Sequence, residues 1–392
     1  MVKKNPFRAG LGVDPPVLVG RADDLEDFGY ALETGPGAHE RISVVTGARG
    51  VGKTVLLNAL QRVALEHGWL YFSETATPGF VQRLVEAVQR AHGQLVATEK
   101  HRLSGVSVAG WGVEWDNPGT SASSDLRQSL TVLLDALEDV SRVADQEPTG
   151  VLITLDELHQ HSRDDVIQLA TVIQHLVRED RQIALVMAGI PSAVKPLLAS
   201  NENANPITFI RRAHRISLGS VGDEDVQRAL EEPVRLEGMA WDPSALSHAV
   251  FACGGYPFLI QLVGYWSFRY AGDSDEISTD AAERGVVKAR RTLGQLVHEP
   301  AVDDLSDVDR TFLAYMTKDR GPSRVADIAQ RMGVSPQYAW NYRRRLLDAE
   351  MIEDRGNGSV DYTLPYMRDY LREHVVSDVI AGINSDTQNK QD

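Results

Sequence analysis

The sequence predicts a three-layer α/β domain with a parallel sheet, then a helical lid, then a C-terminal winged helix-turn-helix. Three observations carry this. Four short apolar runs between residues 42 and 189, the first three each followed by a helical pattern, read as strands buried on both faces. Between the first run and its helix lies Gly47-Ala48-Arg49-Gly50-Val51-Gly52-Lys53-Thr54, which fits G-x-x-x-x-G-K-[ST]. From Gly222 onward the pattern is helical only, until three helices and a hairpin close the chain.

In chain order, residues 5–20 are rich in Pro and Gly and end in Val17-Leu18-Val19-Gly20-Arg21, before a helix from Ala22 to Leu32. Ile42 to Val45 is the first strand. The helix from Thr54 to His67 carries Val55, Leu56, Leu60, Val63 and Ala64 at helical spacing and ends at Gly68. Trp69 to Phe72 is the second strand, and Pro78 to Gly93 a helix. Val106 to Trp115 alternates in two arms around Gly110, like a hairpin, with Trp111 and Trp115 either covering a sheet edge or standing out as binding aromatics. A helix spans Ser124 to Val143. Val151 to Leu155 is a strand ending in Asp156 and Glu157, and Asp165 to Glu179 is helical. Ile183 to Gly189 and His214 to Leu218 complete the sheet.

The lid reads as helices over Asp223–Arg235, Pro243–Cys253, Pro257–Ala271 and Thr279–Leu296, broken by Gly254-Gly255-Tyr256-Pro257. His298-Glu299-Pro300 and the acidic stretch from Asp303 to Asp309 read as a linker. Helices follow over Asp307–Thr317, Val325–Met332 and, capped by Ser335 with Pro336 at its first position, through Leu347. A hairpin over 352–364 and a last helix after Pro365 come next. The expected units are residues 1–220, 221–300 and 301–375, with a frayed polar tail over 376–392.

Composition narrows the classes. A chain of 392 residues exceeds one ordinary core, and a net charge of −15 argues against a protein that coats polyanions. Cys253 is the single cysteine, which excludes an internal disulfide and a cysteine-based metal site. No apolar run reaches the roughly 18 residues of a membrane helix, and nothing apolar follows the charged start. The expected compartment is the cytoplasm, with no membrane partner.

The glycine-rich segment is built for phosphate. Glycines let the backbone wrap closely, so that successive N–H groups and a helix N-terminus face negative charge. Lys53 supplies a cation for the β- and γ-phosphates, and Thr54 a hydroxyl for Mg²⁺. Two carboxylates ending a buried strand lie at the edge where such sheets bind ligands. Asp156 is the expected metal-shell residue, and Glu157 the group that polarises the attacking water. His159 and His161 hint at metal but read better as a surface turn.

Taken in this order, the phosphate loop, the Asp156-Glu157 strand, the helical lid and the terminal winged helix resemble AAA+-type ATPases, closest to the origin-initiator-like branch and the STAND signalling ATPases. The resemblance covers about residues 15–375. It implies that the base is adenine and the ligand ATP or ADP with Mg²⁺. Val19, Gly20 and Arg21 then line the adenine pocket, Pro257 packs near the base, and Val55 joins residues 47–54 in the nucleotide-binding set. It also implies an arginine finger for a neighbouring subunit of a homo-oligomer, placed at Arg211 or Arg212, with a surface arginine pair as the alternative. The sequence departs from the pattern at Met187 to Ser192, where only Ser192 stands in for a sensor asparagine. It departs again at Phe258 to Gln261, where no sensor arginine follows Pro257.

The third helix of the winged helix carries Gln337, Asn341, Arg343, Arg344 and Arg345, side chains that read base edges or phosphates in duplex DNA. Residues 311–350 hold seven basic residues against four acidic ones, a mildly basic face. Such modules also dock proteins, so a protein partner stays open beside DNA.

Overall fold

The structure, a computed structural model, describes residues 3–10, 12–102, 126–147, 149–158, 163–191, 194 and 206–375. The tryptophan-bearing segment around Gly110, His159 and His161, Ser192 and the tail over 376–392 lie outside the described residues. Five parallel strands form the central sheet: β1 (Ile42–Thr46), β2 (Leu70–Thr75), β3 (Val151–Asp156), β4 (Ile183–Gly189) and β5 (His214–Ser217), in the order β2-β3-β4-β1-β5. α1 (Ala22–Thr34) precedes the sheet; parallel strands need crossovers, and helices supply them: α2 (Lys53–Glu66), α3 (Phe80–Arg102), α4 (Leu126–Ala144), α5 (Arg163–Arg178) and α6 (Pro206–Arg211).

Side chains alternate across the sheet as the two-residue period requires. Val45, Leu152, Ala184, Val186 and Ala188 join the core beneath α1 and α2. Val44, Val151, Ile153, Leu155, Leu185 and Met187 join the core against α3, α4 and α5. The result is the expected three-layer P-loop NTPase architecture. Arg41 pins its lower edge. Only 1% exposed, it donates to the carbonyls of Ala31 and Leu32 at the end of α1 and to Gln182. Burial pushes its guanidinium down to about 10.

The lid contains α7 (Asp223–Leu236), α8 (Pro243–Cys253), α9 (Pro257–Ala271) and α10 (Thr279–Leu293). Two of its features correct the sequence reading. A short parallel pair, β6 (Ala240–Trp241) with β7 (Glu276–Ile277), interrupts what reads as helical only. α10 stops at Leu293 and passes into a π-helical turn, Gly294–His298, rather than running on to Leu296. The expected linker is instead α11 (Glu299–Asp303), with Pro300 in its first turn, where a missing N–H costs nothing.

The C-terminal unit is α12 (Asp307–Met316), β8 (Ser323–Arg324), α13 (Val325–Met332), α14 (Pro336–Asp348), β9 (Ile352–Gly356), β10 (Ser359–Tyr362) and α15 (Met367–His374). Its strands form an antiparallel sheet in the order β8-β10-β9. Ser335 caps α14 by accepting from the Tyr338 N–H. Phe312, Ile328, Ala339, Leu346, Val360 and Leu371 bury its core. Among the described residues no helix is long and apolar enough to cross a membrane.

Candidate functional site

The phosphate loop leaves β1 at Thr46 and enters α2 at Lys53, so α2 opens with its N–H groups facing the cavity above the sheet edge. Glycine is required twice: Gly50 and Gly52 sit at φ +76° and +96°, where a side chain is strained. Gly47 is required for another reason, since a Cβ there would stand 2.7 Å from the Leu218 carbonyl oxygen. The Lys53 ammonium donates to the carbonyls of Gly47 at 2.6 Å and Ala48 at 2.8 Å. Burial pushes its pKa down. The Glu350 carboxylate is the strongest opposing influence, followed by Asp156, while Arg49 adds to the depression.

Asp156 ends β3 beside Thr54, whose hydroxyl donates to its carboxylate at 2.6 Å. The other Asp156 oxygen accepts the Glu157 N–H at 2.8 Å, and Glu157 lies at φ +55°, turning the chain sharply out of the sheet. Glu157 is exposed at the cavity and Asp156 half-buried. A hydroxyl and a carboxylate in contact are hard oxygen donors of the kind Mg²⁺ takes, with its remaining positions left for phosphate and water. The donor set therefore fits this ion, and the glycine loop fits a phosphate chain.

The cavity measures about 800 Å³ and draws its walls from the core and the lid. Arg49 to Val55, Asp156 and Glu157 come from the core, and Pro257, Phe258, Ile260 and Gln261 from α9. Val17, Leu18, Val19 and Arg21 come from the segment before α1, and Leu296 and Val297 from the π-helical turn. Gly20 lies beside the cavity at φ +66°, and the Arg21 guanidinium donates to the carbonyls of Gly20 and Gly219.

Pro257 opens α9 at the cavity wall, and its neighbours do more than the sequence reading assigned them. The Tyr256 hydroxyl donates to the Arg49 carbonyl at 2.5 Å, and the Phe258 N–H to the Gly50 carbonyl at 3.3 Å. The lid thus holds the phosphate loop by its backbone. Arg49 in turn pairs with Asp304 at 2.8 Å, just beyond α11.

The remaining sequence-derived residues lie apart from this cavity. Arg211 and Arg212 are exposed at the end of α6 and do not line it. On α14, Gln337, Asn341 and Arg344 are exposed, as are the rings of Tyr338 and Trp340. Arg343 pairs with Asp354 of β9 at 2.5 Å and lies over Trp340, while Arg345 pairs with the buried Asp309 at 2.7 Å. Arg331 is forked onto Asp319. Three of the seven cations read as a basic face are therefore engaged within the unit. Sequence reasoning missed Arg8, Gly10, Gly12, Val13, Gln261, Leu296 and Val297 as cavity residues; the Pro- and Gly-rich composition of residues 5–20 was the only available signal for the first four.

A parallel sheet with a glycine-rich loop, a lysine and a carboxylate-ended strand defines a P-loop nucleotide-binding protein. Residues 17–186 match the family model of the AAA ATPase domain, so this part of the chain is a P-loop ATPase domain of the AAA class. Residues 295–371 match a family described only as a domain of unknown function. No curated protein matches the chain.

Among solved structures the fold is similar to a Walker-type ATPase of Pyrococcus abyssi, at 13% identity and a TM-score of 0.62, covering 91% of this chain and 96% of that one. Looser overlaps are found with the Aeropyrum pernix ORC2 protein, at 15% identity and a TM-score of 0.42, covering 95% and 97%. A Thermotoga maritima RuvB variant gives 16% identity and a TM-score of 0.46, covering 95% and 100%.

Proposed function

We propose that this chain binds ATP with Mg²⁺ in the cavity between sheet edge and lid, hydrolyses it slowly, and uses the nucleotide state to reposition a C-terminal winged helix. One observation carries the reading: core and lid wall the same cavity, and Asp304, at the start of the C-terminal unit, pairs with Arg49 of the phosphate loop that lines it. A nucleotide placed there touches core and lid and competes for the arginine that holds the third unit, which gives it different contact energies in different arrangements of them.

Lys53 and the loop N–H groups hold the phosphates, and Thr54 and Asp156 would hold Mg²⁺, which supplies charge neutralisation when bound. Val19, Gly20, Arg21, Val55 and Pro257 form the base side. Glu157 orients the attacking water. Arg211 or Arg212, exposed and outside the cavity, serves a neighbouring copy rather than its own site as the arginine finger. Gln337, Asn341 and Arg344 are the DNA-facing side chains of α14. With so few unengaged cations, the affinity is modest and salt-dependent.

Steady-state phosphate release, measured over a range of protein concentrations with and without duplex DNA at low salt, tests this reading. Turnover rising more than linearly with concentration, lost in Glu157→Gln, is expected. Nucleotide binding that survives Lys53→Ala refutes it. A mixed-sequence duplex that fails to shift at low salt moves α14 to a protein partner.

A second reading has its own observation. Gln261 stands on the cavity side of α9 and spends its side-chain oxygen on the Arg8 N–H at 3.1 Å. A lid without an arginine there suits ATP held as a structural ligand, with large melting shifts from ATP and ADP alike and no phosphate release.

A further inference from the structure

The segment before the AAA-type core is not a loose leader. It runs along α9 from that helix's C-terminal end toward the cavity. Lys3 donates to the Ser274 carbonyl at 2.8 Å and pairs with Asp275 at 2.5 Å. Asn5 donates to the Tyr265 carbonyl at 2.9 Å. Phe7, 3% exposed, fills the notch left by Gly264, where a Cβ would fall inside its ring. The Arg8 N–H then bonds Gln261. Four consecutive anchors, at 274–275, 265, 264 and 261, fix the register of this strap on the lid.

Beyond the cavity the strap attaches to the core. Asp14 accepts from Asn58 at 2.9 Å and pairs with Arg62, both on α2. Between these two attachments Arg8, Gly10, Gly12 and Val13 line the cavity. Arg8 is exposed there, and among the described residues no carboxylate pairs with it.

We propose that Arg8 is a nucleotide-binding residue, a guanidinium delivered to the phosphates of a bound nucleoside di- or triphosphate by a strap that the Phe7–Gly264 notch holds in register. It supplies from outside the lid the cation that α9 lacks at Gln261. The inference rests on the nucleotide reading of the cavity and adds to it a ligand-contacting residue and a positioning residue, Phe7. Energetically, a charge-assisted hydrogen bond to phosphate carries about ten- to hundredfold in affinity. The strap lowers the cost of ordering the arginine, because its backbone is already fixed at positions 7 and 8.

The test is displacement of a fluorescent ATP analogue by ATP, ADP and adenosine, measured on the full chain. The unaltered chain is expected to bind and Lys53→Ala to fail, which secures the underlying reading. Arg8→Ala is expected to lose about tenfold or more for ATP and ADP while leaving adenosine unchanged, and Arg8→Lys to retain much of the affinity. Gly264→Ala expels Phe7 from its notch and is expected to reproduce the Arg8→Ala loss, although residue 264 does not line the cavity. Phe7→Ala, which empties the notch without a clash, does the same if Gly264→Ala proves unstable. Unchanged ATP affinity in Arg8→Ala, or an equal loss for adenosine, overturns the assignment while the cavity's function stands. Failure of the unaltered chain to bind any of the three overturns both.

Discussion

Replacing Tyr256 by phenylalanine removes one oxygen from the joint between lid and phosphate loop. That hydroxyl belongs to a residue 4% exposed and donates to the Arg49 carbonyl at 2.5 Å. Burial pushes the phenol's pKa up, so it stays protonated and remains a donor. A hydrogen bond contributes about 1 kcal/mol net, and because Arg49 is itself exposed, water takes the place that the hydroxyl leaves. The loop must keep its N–H groups converged for phosphate, so most of this energy is withdrawn from binding, a loss of about fivefold in ATP affinity. Displacement titration of an ATP analogue measures it, with thermal melts alongside. A lowered melting temperature with ATP affinity unchanged would refute the coupling, because the hydroxyl would then serve lid packing alone.

Four further outcomes are expected. Gly50→Ala places a methyl against the Tyr256 hydroxyl at φ +76° and should abolish nucleotide binding in the same titration, beyond the effect of Tyr256→Phe. Asp156→Asn weakens the oxygen pair with Thr54, so chelating Mg²⁺ should lower ATP affinity in the unaltered chain and change little in the variant. His298, 1% exposed, has its pKa pushed from 6.5 to about 4 by burial, so the unfolded chain binds the extra proton first. Stability is therefore full above pH 6.5 and falls as pH drops toward 4, by about 3 kcal/mol, and His298→Phe should flatten the slope seen by hydrogen exchange across residues 294–303. Arg41→Met leaves two carbonyls at the end of α1 unpaired and should lower the melting temperature while leaving ATP affinity, once folded, unaltered.

What was legible in the sequence was local. The phosphate loop declares itself because its glycines, lysine and threonine are contiguous and the apolar runs on either side have one period each. Asp156 and Glu157 follow a mostly apolar strand, Pro257–Ala271 opens on its proline and stops at Gly272, and Val325–Met332 stops at Gly333. What escaped depends on partners far along the chain. A two-residue strand such as Ala240–Trp241 has no periodicity to read and exists only because Glu276–Ile277 passes beside it. Arg8 enters the cavity because Phe7 finds Gly264, more than 250 residues away. Counting charges made α14 basic, but counting cannot show that Arg343 is matched by Asp354 and Arg345 by Asp309.

These pairings also bear on how the nucleotide and the C-terminal unit are linked. Removing a carboxylate from Arg343 or Arg345 would expose cation to a DNA backbone, yet both pairs lie within the unit and do not depend on its place against the core. Two acidic groups depend on that place: Asp304, paired with Arg49, and Glu350, whose carboxylate acts to raise the pKa of the half-buried Lys53. A triphosphate brings negative charge to the same two cations. Mg²⁺ held by Thr54 and Asp156 would offset part of it, while Asp304 on Arg49 and Glu350 near Lys53 would compete with the phosphates for the same cations. The Arg49–Asp304 pair, at 48% and 67% side-chain exposure, contributes under about 1 kcal/mol and yields readily. On the proposed nucleotide reading, electrostatics would therefore favour a C-terminal unit that sits close when the phosphate site is empty and moves off as phosphates arrive.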